Sequence, residues 1–159
     1  MGFDVTKLNT ARLEVAFPPI RIELEGLKTL RLEDAWRLAD ELECAEMIGL
    51  TWIDITSSQA RATVDVLKII THASLPVLLP GYLKFVSDVS LADNLVVEVP
   101  RLLEETAAKD PCCFDARQRE ALVDVLTDAA TRLEIADHQT LELLQRVAHR
   151  YANNQDFGL

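Results

Sequence analysis

The chain reads Thr71-His-Ala-Ser-Leu-Pro-Val-Leu-Leu-Pro-Gly-Tyr-Leu-Lys-Phe-Val86 near its middle, and this is its most apolar stretch. Ser74 can cap a helix that has Pro76 in its first turn, where the missing N–H costs little. Pro80 and Gly81 then interrupt the apolar run and predict a kink or a restart of the helix. Because the run is too short to span a membrane, we predict a buried central helix against which the other helices pack.

Length and composition favour one globular domain over residues 1–159. The chain is 49% hydrophobic and 26% charged, which is ordinary for a soluble domain of this size. It has no run of 18 apolar residues and no basic-then-apolar leader, so neither a transmembrane helix nor a signal peptide is expected. Its three cysteines, Cys44, Cys112 and Cys113, do not make a disulfide framework, and a cytoplasmic location is therefore expected.

The net charge of −10 is concentrated in one part of the sequence. Residues 33–54 hold seven acidic side chains against Arg37 alone. This balance argues against binding nucleic acid by neutralising its phosphates. It would steer a basic protein toward the chain. We therefore expect a basic protein partner, no nucleic acid and no membrane; the oligomeric state stays open.

Hydrophobic periodicity predicts an all-α bundle of six or seven helices with short connections. Besides the central stretch, the predicted helices are 6–17, 31–48, 59–71, 93–108, 116–133 and 138–152. Residues 95–99 could instead be extended, with the helix beginning at Pro100. Residues 20–25 alternate in polarity and fit either a short strand or an extended surface loop. Residues 153–159 are expected to form a loose tail.

The predicted helices also have predicted caps and core faces. We expect Ser57 or Ser58 to cap the third helix, and Asp115 to form a capping box with Gln118. Gly49 suits the C′ position after helix 31–48. Apolar faces are predicted from Leu8, Ala11, Leu13 and Val15; from Leu32, Ala35, Trp36, Ala39 and Leu42; from Ala121, Leu122, Val125, Leu126 and Ala129; and from Leu141, Leu144, Val147 and Tyr151.

Several landmarks together resemble an uncharacterised family of small helical bacterial proteins. They cover about residues 8–130 and are Ala16-Phe17-Pro18, Trp52-Ile53-Asp54-Ile55, Leu79-Pro80-Gly81-Tyr82-Leu83 and Phe114-Asp115-Ala116-Arg117-Gln118-Arg119-Glu120-Ala121. The chain departs from the pattern at Gly81, where a small helix former is expected, and in its longer last helix. The resemblance implies a helical fold and transfers no catalytic residue.

No catalytic or metal-binding pattern emerges from the sequence, so we predict no cofactor and no metal. There is no glycine-rich phosphate loop, no G-x-S-x-G and no H-E-x-x-H. His138 and His149 share a helix face but stand roughly 16 Å apart along it, too far for one metal. Asp124 and Asp128 are better explained by a solvated face that includes a favourable Asp128–Arg132 pair.

The acidic side chains of helix 31–48 form the one cluster that suggests a function. Glu43 and Glu46 stand in its last turns, where the helix dipole disfavours anions. Trp52 and Asp54 follow closely, and an aromatic residue beside charges is typical of interface hot spots. The predicted partner-binding residues are Glu33, Asp34, Asp40, Glu41, Glu43, Glu46, Trp52 and Asp54. A merely solvated helix face is the competing interpretation.

The resulting functional prediction is a non-enzymatic protein-binding module. By analogy, small acidic proteins of this kind often stand beside bacterial toxin genes as immunity proteins that neutralise the toxin by direct binding. Two alternatives remain. One is a small helical enzyme or ligand-binding domain with a pocket near Pro80 and Gly81. The other is a self-associating structural or assembly subunit.

Overall fold

The predicted all-α fold is confirmed. The computed structural model describes residues 4–87, 94–110, 113–132 and 138–153, and these ranges contain seven α-helices and no β-strand. The helices are α1 Val5–Glu14, α2 Asp34–Cys44, α3 Ser57–Thr63, α4 Leu75–Leu83, α5 Leu95–Lys109, α6 Ala116–Arg132 and α7 His138–Ala152. Single 3-10 segments lie at Leu24–Gly26, Trp52–Asp54, Val64–Lys68 and His72–Ser74. Cys112 and the predicted tail beyond Asn153 lie outside the described residues.

Helix α4 is buried, as predicted, but it packs mainly on α3, α5 and the neighbouring 3-10 segments and not on every other helix. Leu75 and every residue from Leu78 to Leu83 are buried. The helix runs uninterrupted through Pro80, so the predicted restart is wrong. Ser74 does not cap α4 with its side chain; its hydroxyl instead accepts from the backbone N–H of Lys28 at 2.9 Å.

The 3-10 turn Trp52–Asp54 packs directly on α4 at Gly81. A Cβ at Gly81 would meet Ile55 Cδ1 and would lie 3.1 Å from the carbonyl oxygen of Trp52. Glycine is required because the two backbones approach so closely. The Trp52 side chain is fully buried and donates from Nε1 to the carbonyl of Phe17 at 3.0 Å. One alternative prediction placed a pocket near Pro80 and Gly81; at Gly81 the residues Trp52 and Ile55 lie directly against the helix.

Helices α6 and α7 agree most closely with the sequence prediction. Asp115 and Gln118 form the predicted capping box, with reciprocal hydrogen bonds of 2.8 and 3.0 Å. The predicted core face of α6 is buried, and α7 has the predicted bounds. Phe114 packs edge to face between Phe17 and Tyr151, with ring centroids 6.1 and 6.0 Å away. This aromatic row joins both helices to the end of α1.

Helices α1 and α3 correct two predictions. In α1, Val5, Asn9 and Leu13 are buried, whereas Val15 is 66% exposed. The inward face holds a polar residue because the Asn9 amide donates to the Lys84 carbonyl at 3.2 Å and to Ser87 Oγ at 3.1 Å.

Helix α3 is capped one residue earlier than expected. Thr56, rather than Ser57 or Ser58, forms a capping box with Gln59. The helix is also shorter than the predicted 59–71, because the chain tightens into the 3-10 segment Val64–Lys68.

Helix α5 settles the alternative left open around Pro100. It begins at Leu95 and continues through Pro100, so the extended form of residues 95–99 is not adopted. Within the described residues, no helix combines the length and apolar character that crossing a membrane requires.

Backbone hydrogen bonds attach both ends of the α2 region to the rest of the fold. Before α2, the Leu30 N–H donates to the Ile69 carbonyl at 2.8 Å, beside an isolated antiparallel bridge between Thr29 and Ile70. After α2, the Gly49 N–H donates to the Ile22 carbonyl at 2.8 Å, and the Ile22 N–H donates to the Leu50 carbonyl at 2.7 Å. Residues 20–23 are thus an extended segment and not a strand.

Candidate protein-binding surface

Helix α2 turns a different face to the core than the periodicity predicts. Its buried residues are Leu38 and Leu42. Of the predicted face only Leu42 is buried; Ala39 is half-buried, and Ala35 is exposed. At about 100° per residue, a side chain two positions from Leu38 lies roughly opposite it on the helix. The apolar residues of α2 are therefore spread over two sides, and only one side packs against the core.

The uncovered side forms an exposed apolar patch. Leu32 is 92% exposed, Trp36 is 85% exposed and Leu30 is 60% exposed. We call these three residues the anchor patch. An exposed tryptophan beside two exposed leucines departs from the scattered single apolar residues of an ordinary protein surface.

Acidic side chains border the anchor patch along the helix. We call Glu33, Asp34, Asp40, Glu43 and Glu46 the acidic rim; Asp34 is half-buried and the others are exposed. Nearby cations neutralise only one of them: Arg31 pairs with Glu33 at 3.5 Å. Among the described residues, the other four members of the rim form no ion pair. Apart from Glu33, the rim therefore presents negative charge that no ion pair within the described residues offsets.

Glu46 holds a backbone conformation that disfavours its own side chain. After the last turn of α2, the Met47 N–H donates to the Leu42 carbonyl at 2.9 Å, and the Glu46 N–H donates to the Glu43 carbonyl at 3.0 Å. This pattern is a Schellman motif, in which glycine normally occupies the left-handed C′ position. Glu46 occupies it here with φ of 58°. The predicted C′ residue, Gly49, lies three residues further on, at φ of 91°.

Three predicted partner-binding residues do not belong to this surface. Trp52 is buried, so its predicted role as an exposed anchor is wrong. Asp54 lies on the 3-10 turn above α4, where its carboxylate counters the effect of burial, which lowers the pKa of Lys84 to about 8. Glu41 is half-buried: its Oε1 lies 3.4 Å from Arg37 Nε, and its buried Oε2 has no hydrogen-bond partner among the described residues.

Burial also raises the pKa of Tyr82 far above its ordinary value, and the inward-facing Glu41 charge adds to that shift. The Tyr82 hydroxyl lies 2.8 Å from Thr63 Oγ1, and this hydrogen bond opposes the shift. The Glu41 charge therefore acts on a buried group, the Tyr82 hydroxyl, and not only at the solvent-facing surface.

Trp36 is the exposed aromatic residue that sequence reasoning missed. The periodic pattern assigned it to the core face together with Leu32. One signal pointed the other way: Gly81 inside an apolar helix indicates close approach of another backbone, and the Trp52 turn is what approaches. The packing of this turn on α4 accompanies the burial of Trp52, whereas Trp36 stays exposed.

The residues around His72 bring a histidine, an acid and a cysteine together, the side chains that nucleophilic chemistry uses. His72 Nδ1 lies 3.3 Å from Asp110 Oδ2. The Cys113 thiol donates to the backbone carbonyl of His72 at 3.3 Å and not to the imidazole. Burial raises the pKa of Cys113 to about 12, and the Asp110 charge adds to this. The thiol is therefore not activated as a nucleophile.

Metal ligation finds no support in the described part of the chain, where no three His, Cys, Asp or Glu side chains are grouped closely enough to hold an ion. His138 is exposed and lies 3.2 Å from Glu142. The chain matches no protein-family model, no curated protein and no solved structure. The family resemblance seen in the sequence stays a prediction.

Proposed function

We propose that this protein is a non-enzymatic binding module that docks a basic protein through α2, in the manner of an immunity protein that neutralises a bacterial toxin. The observation that carries the proposal is the exposure of Trp36 on α2 and of Leu32 in the turn before it, beside the acidic rim, of which only Glu33 forms an ion pair within the described residues. Interface hot spots are typically aromatic anchors that become desolvated at the centre of a contact. Surrounding charges of one sign speed association with a partner of the opposite sign.

The end of α2 supports the proposal because two of its residues are unfavourable for local stability. Glu43 and Glu46 place negative charge at the C-terminal end of the helix, against the dipole. Glu46 additionally holds a left-handed backbone that glycine would adopt without strain. Local strain of this kind clusters at functional sites, so these residues are better explained by partner contact than by stability.

Charge also separates this proposal from self-association. Two copies meeting through the anchor patch would bring two acidic rims together on chains that each carry −10. Like charges facing each other across an interface disfavour such a contact. A basic partner removes that repulsion and desolvates Trp36 at the same time.

The direct test is co-purification with the product of the neighbouring gene, comparing two kinds of variant. Trp36→Ala removes the anchor, and Asp40→Lys with Glu43→Lys reverses the rim. Glu14→Lys with Glu120→Lys is the matched control, because it makes the same charge change at exposed acids on α1 and α6. We expect both α2 variants to lose the complex and the control to keep it.

If the control variant lost the complex equally, the loss seen on reversing the rim would reflect only the change in net charge. Unchanged binding by Trp36→Ala would remove the anchor patch from the interface. A sedimentation experiment on the protein alone checks the self-associating alternative, for which dimerisation that Trp36→Ala abolishes is the required result.

A further inference from the structure

A cavity of about 330 Å³ lies beside the anchor patch, between α5 and the chain that follows α3. We call its apolar lining residues Leu67, Ile70 and Leu102 the floor; the buried Thr106 also lines the cavity. Leu67 and Ile70 are buried and Leu102 is half-buried. A volume near 300 Å³ is at the lower end for ligand pockets, so the cavity suits one compact group.

The charged groups at the mouth of the cavity are already paired with one another. Lys68 Nζ lies 2.8 Å from Glu98 Oε2, and Lys109 Nζ lies 2.6 Å from Glu105 Oε1. The third group, His72, contacts Asp110.

These pairs leave no single charge directed at an occupant. A charged occupant would have to separate one of them and lose its own hydration as well. An uncharged apolar group would gain contact with the floor at neither cost.

Leu30 connects this cavity with the anchor patch. It belongs to the patch by its exposure and also lines the cavity. The hydrogen bond from its N–H to the Ile69 carbonyl fixes it at this boundary. A protein that covers Trp36 and Leu32 therefore extends naturally over the mouth of the cavity.

We propose that the cavity beside Leu30 receives an uncharged apolar side chain, aromatic or branched aliphatic, from the basic partner. The inference rests on the proposed function and adds a second anchor to it, directed from the partner into this protein. Hot spots tend to pair across interfaces. The partner is thus expected to carry a projecting apolar residue beside the cleft that accepts Trp36.

The chemistry of the cavity can be tested without the partner, using side-chain analogues and NMR. The probes are toluene for phenylalanine, n-butylammonium for lysine and propionate for glutamate. We expect toluene to shift the methyl signals of Leu67, Ile70 and Leu102, and the two ions to leave them unchanged. Absence of a toluene shift, or a larger shift with either ion, would overturn the inference.

A pair of filling variants locates the site. Leu102→Trp is expected to fill the cavity and abolish the toluene shifts of Leu67 and Ile70. Leu141→Trp is the matched control, because Leu141 is also a half-buried leucine that lines a surface groove, the one between α6 and α7. Toluene shifts that survive in Leu102→Trp would place the probe elsewhere and refute the assignment.

The last measurement identifies the source of the apolar group. Adding the neighbouring gene product to the toluene-loaded protein is expected to displace toluene, because the partner side chain takes its place. Toluene that stays bound within a formed complex would overturn the inference while the proposed function stands. If no complex forms, the proposed function itself fails, and co-purification reports that failure separately.

Discussion

Helices α2 and α4 have similar lengths and opposite surroundings. Seven of the nine residues of α4 are buried, against two of the eleven in α2. Helix α4 is apolar on all sides, so every rotation about its axis buries apolar surface. The apolar residues of α2 extend over more of its circumference than the core contacts, so part of them stays in water. Stability is therefore concentrated in α4, and α2 is left available for binding.

The largest expected effect comes from removing packed atoms in α4. Leu79→Ala should lower the free energy of unfolding by about 2–5 kcal/mol, because the lost contacts leave a cavity in a close-packed core. Leu32→Ala in the anchor patch should change it by less than about 0.5 kcal/mol. Urea denaturation measures both. Similar losses of unfolding free energy in the two variants would contradict the contrast drawn between α4 and α2.

The close contact at Gly81 predicts the next effect. Gly81→Ala forces a Cβ against Ile55 and the Trp52 carbonyl, which typically costs about 1–3 kcal/mol. The better helix propensity of alanine returns about 1 kcal/mol, leaving a net loss of about 0–2 kcal/mol. Gly26→Ala is the control, since a Cβ there has nothing within 4 Å. A stabilised Gly81→Ala variant would show that the turn yields easily.

Relief of the strained C′ position should raise stability. Glu46→Gly is expected to increase the free energy of unfolding by about 1 kcal/mol, because glycine adopts the left-handed conformation freely. Glu43→Gly, two residues before the helix cap, should decrease it by about 0.5–1 kcal/mol. Glu46→Gly should also weaken the complex if the Glu46 side chain contacts the partner. Losses in both glycine variants would contradict the interpretation of Glu46 as a strained residue.

Lys84, at the C-terminal cap of α4, gives the stability of the protein a pH dependence. Its pKa is about 8 in the folded protein and 10.5 ordinarily, so the unfolded state binds more protons between those values. Stability therefore rises with pH across that window. Cys113 and the tyrosines act in the opposite direction at high pH. The difference in unfolding free energy between the wild type and Lys84→Met isolates the lysine.

We expect the wild type to gain stability relative to Lys84→Met as the pH rises from 8 to 10. A difference that stays constant over this range would show that the Lys84 ammonium is not desolvated by its surroundings.

The smallest effect on stability is expected at Trp36. Trp36→Ala should change the free energy of unfolding by less than about 0.5 kcal/mol, yet remove most of the tryptophan fluorescence that acrylamide quenches. Trp52 is buried and should be protected from the quencher. In the wild type, caesium should quench more strongly than iodide, because the acidic rim attracts cations. Equal quenching of both tryptophans would contradict the burial of Trp52.

Much of the fold could be predicted from local signals. The Asp115–Gln118 capping box and the spacing of Leu122, Val125 and Leu126 place α6 with its core face. Those signals suffice because the apolar residues of α6 share one side of the helix, so only that side can face the core.

The face of α2 could not be predicted in the same way. Periodicity locates an apolar stripe, but which part of the stripe meets the core depends on chain segments distant in sequence. Here Leu38 and Leu42 face inward, and the chain on either side of the helix is held by hydrogen bonds to Ile22 and Ile69. The burial of Trp52 and the exposure of Trp36 could not be predicted for the same reason. The packing of the Trp52 turn on Gly81 is a tertiary contact, and its signal in the sequence is a single glycine.

The hydrogen bonds that close the two ends of the α2 region have an evolutionary consequence. Leu30 is joined to Ile69, and Gly49 is joined to Ile22, so the intervening residues form an excursion anchored at both ends. Exposed residues of the excursion can change while α4 and the aromatic row stay the same, whereas Leu38, Leu42 and Met47 belong to the core. Recognition of a new partner would then evolve without reinventing the fold, much as antibody loops vary on a conserved framework.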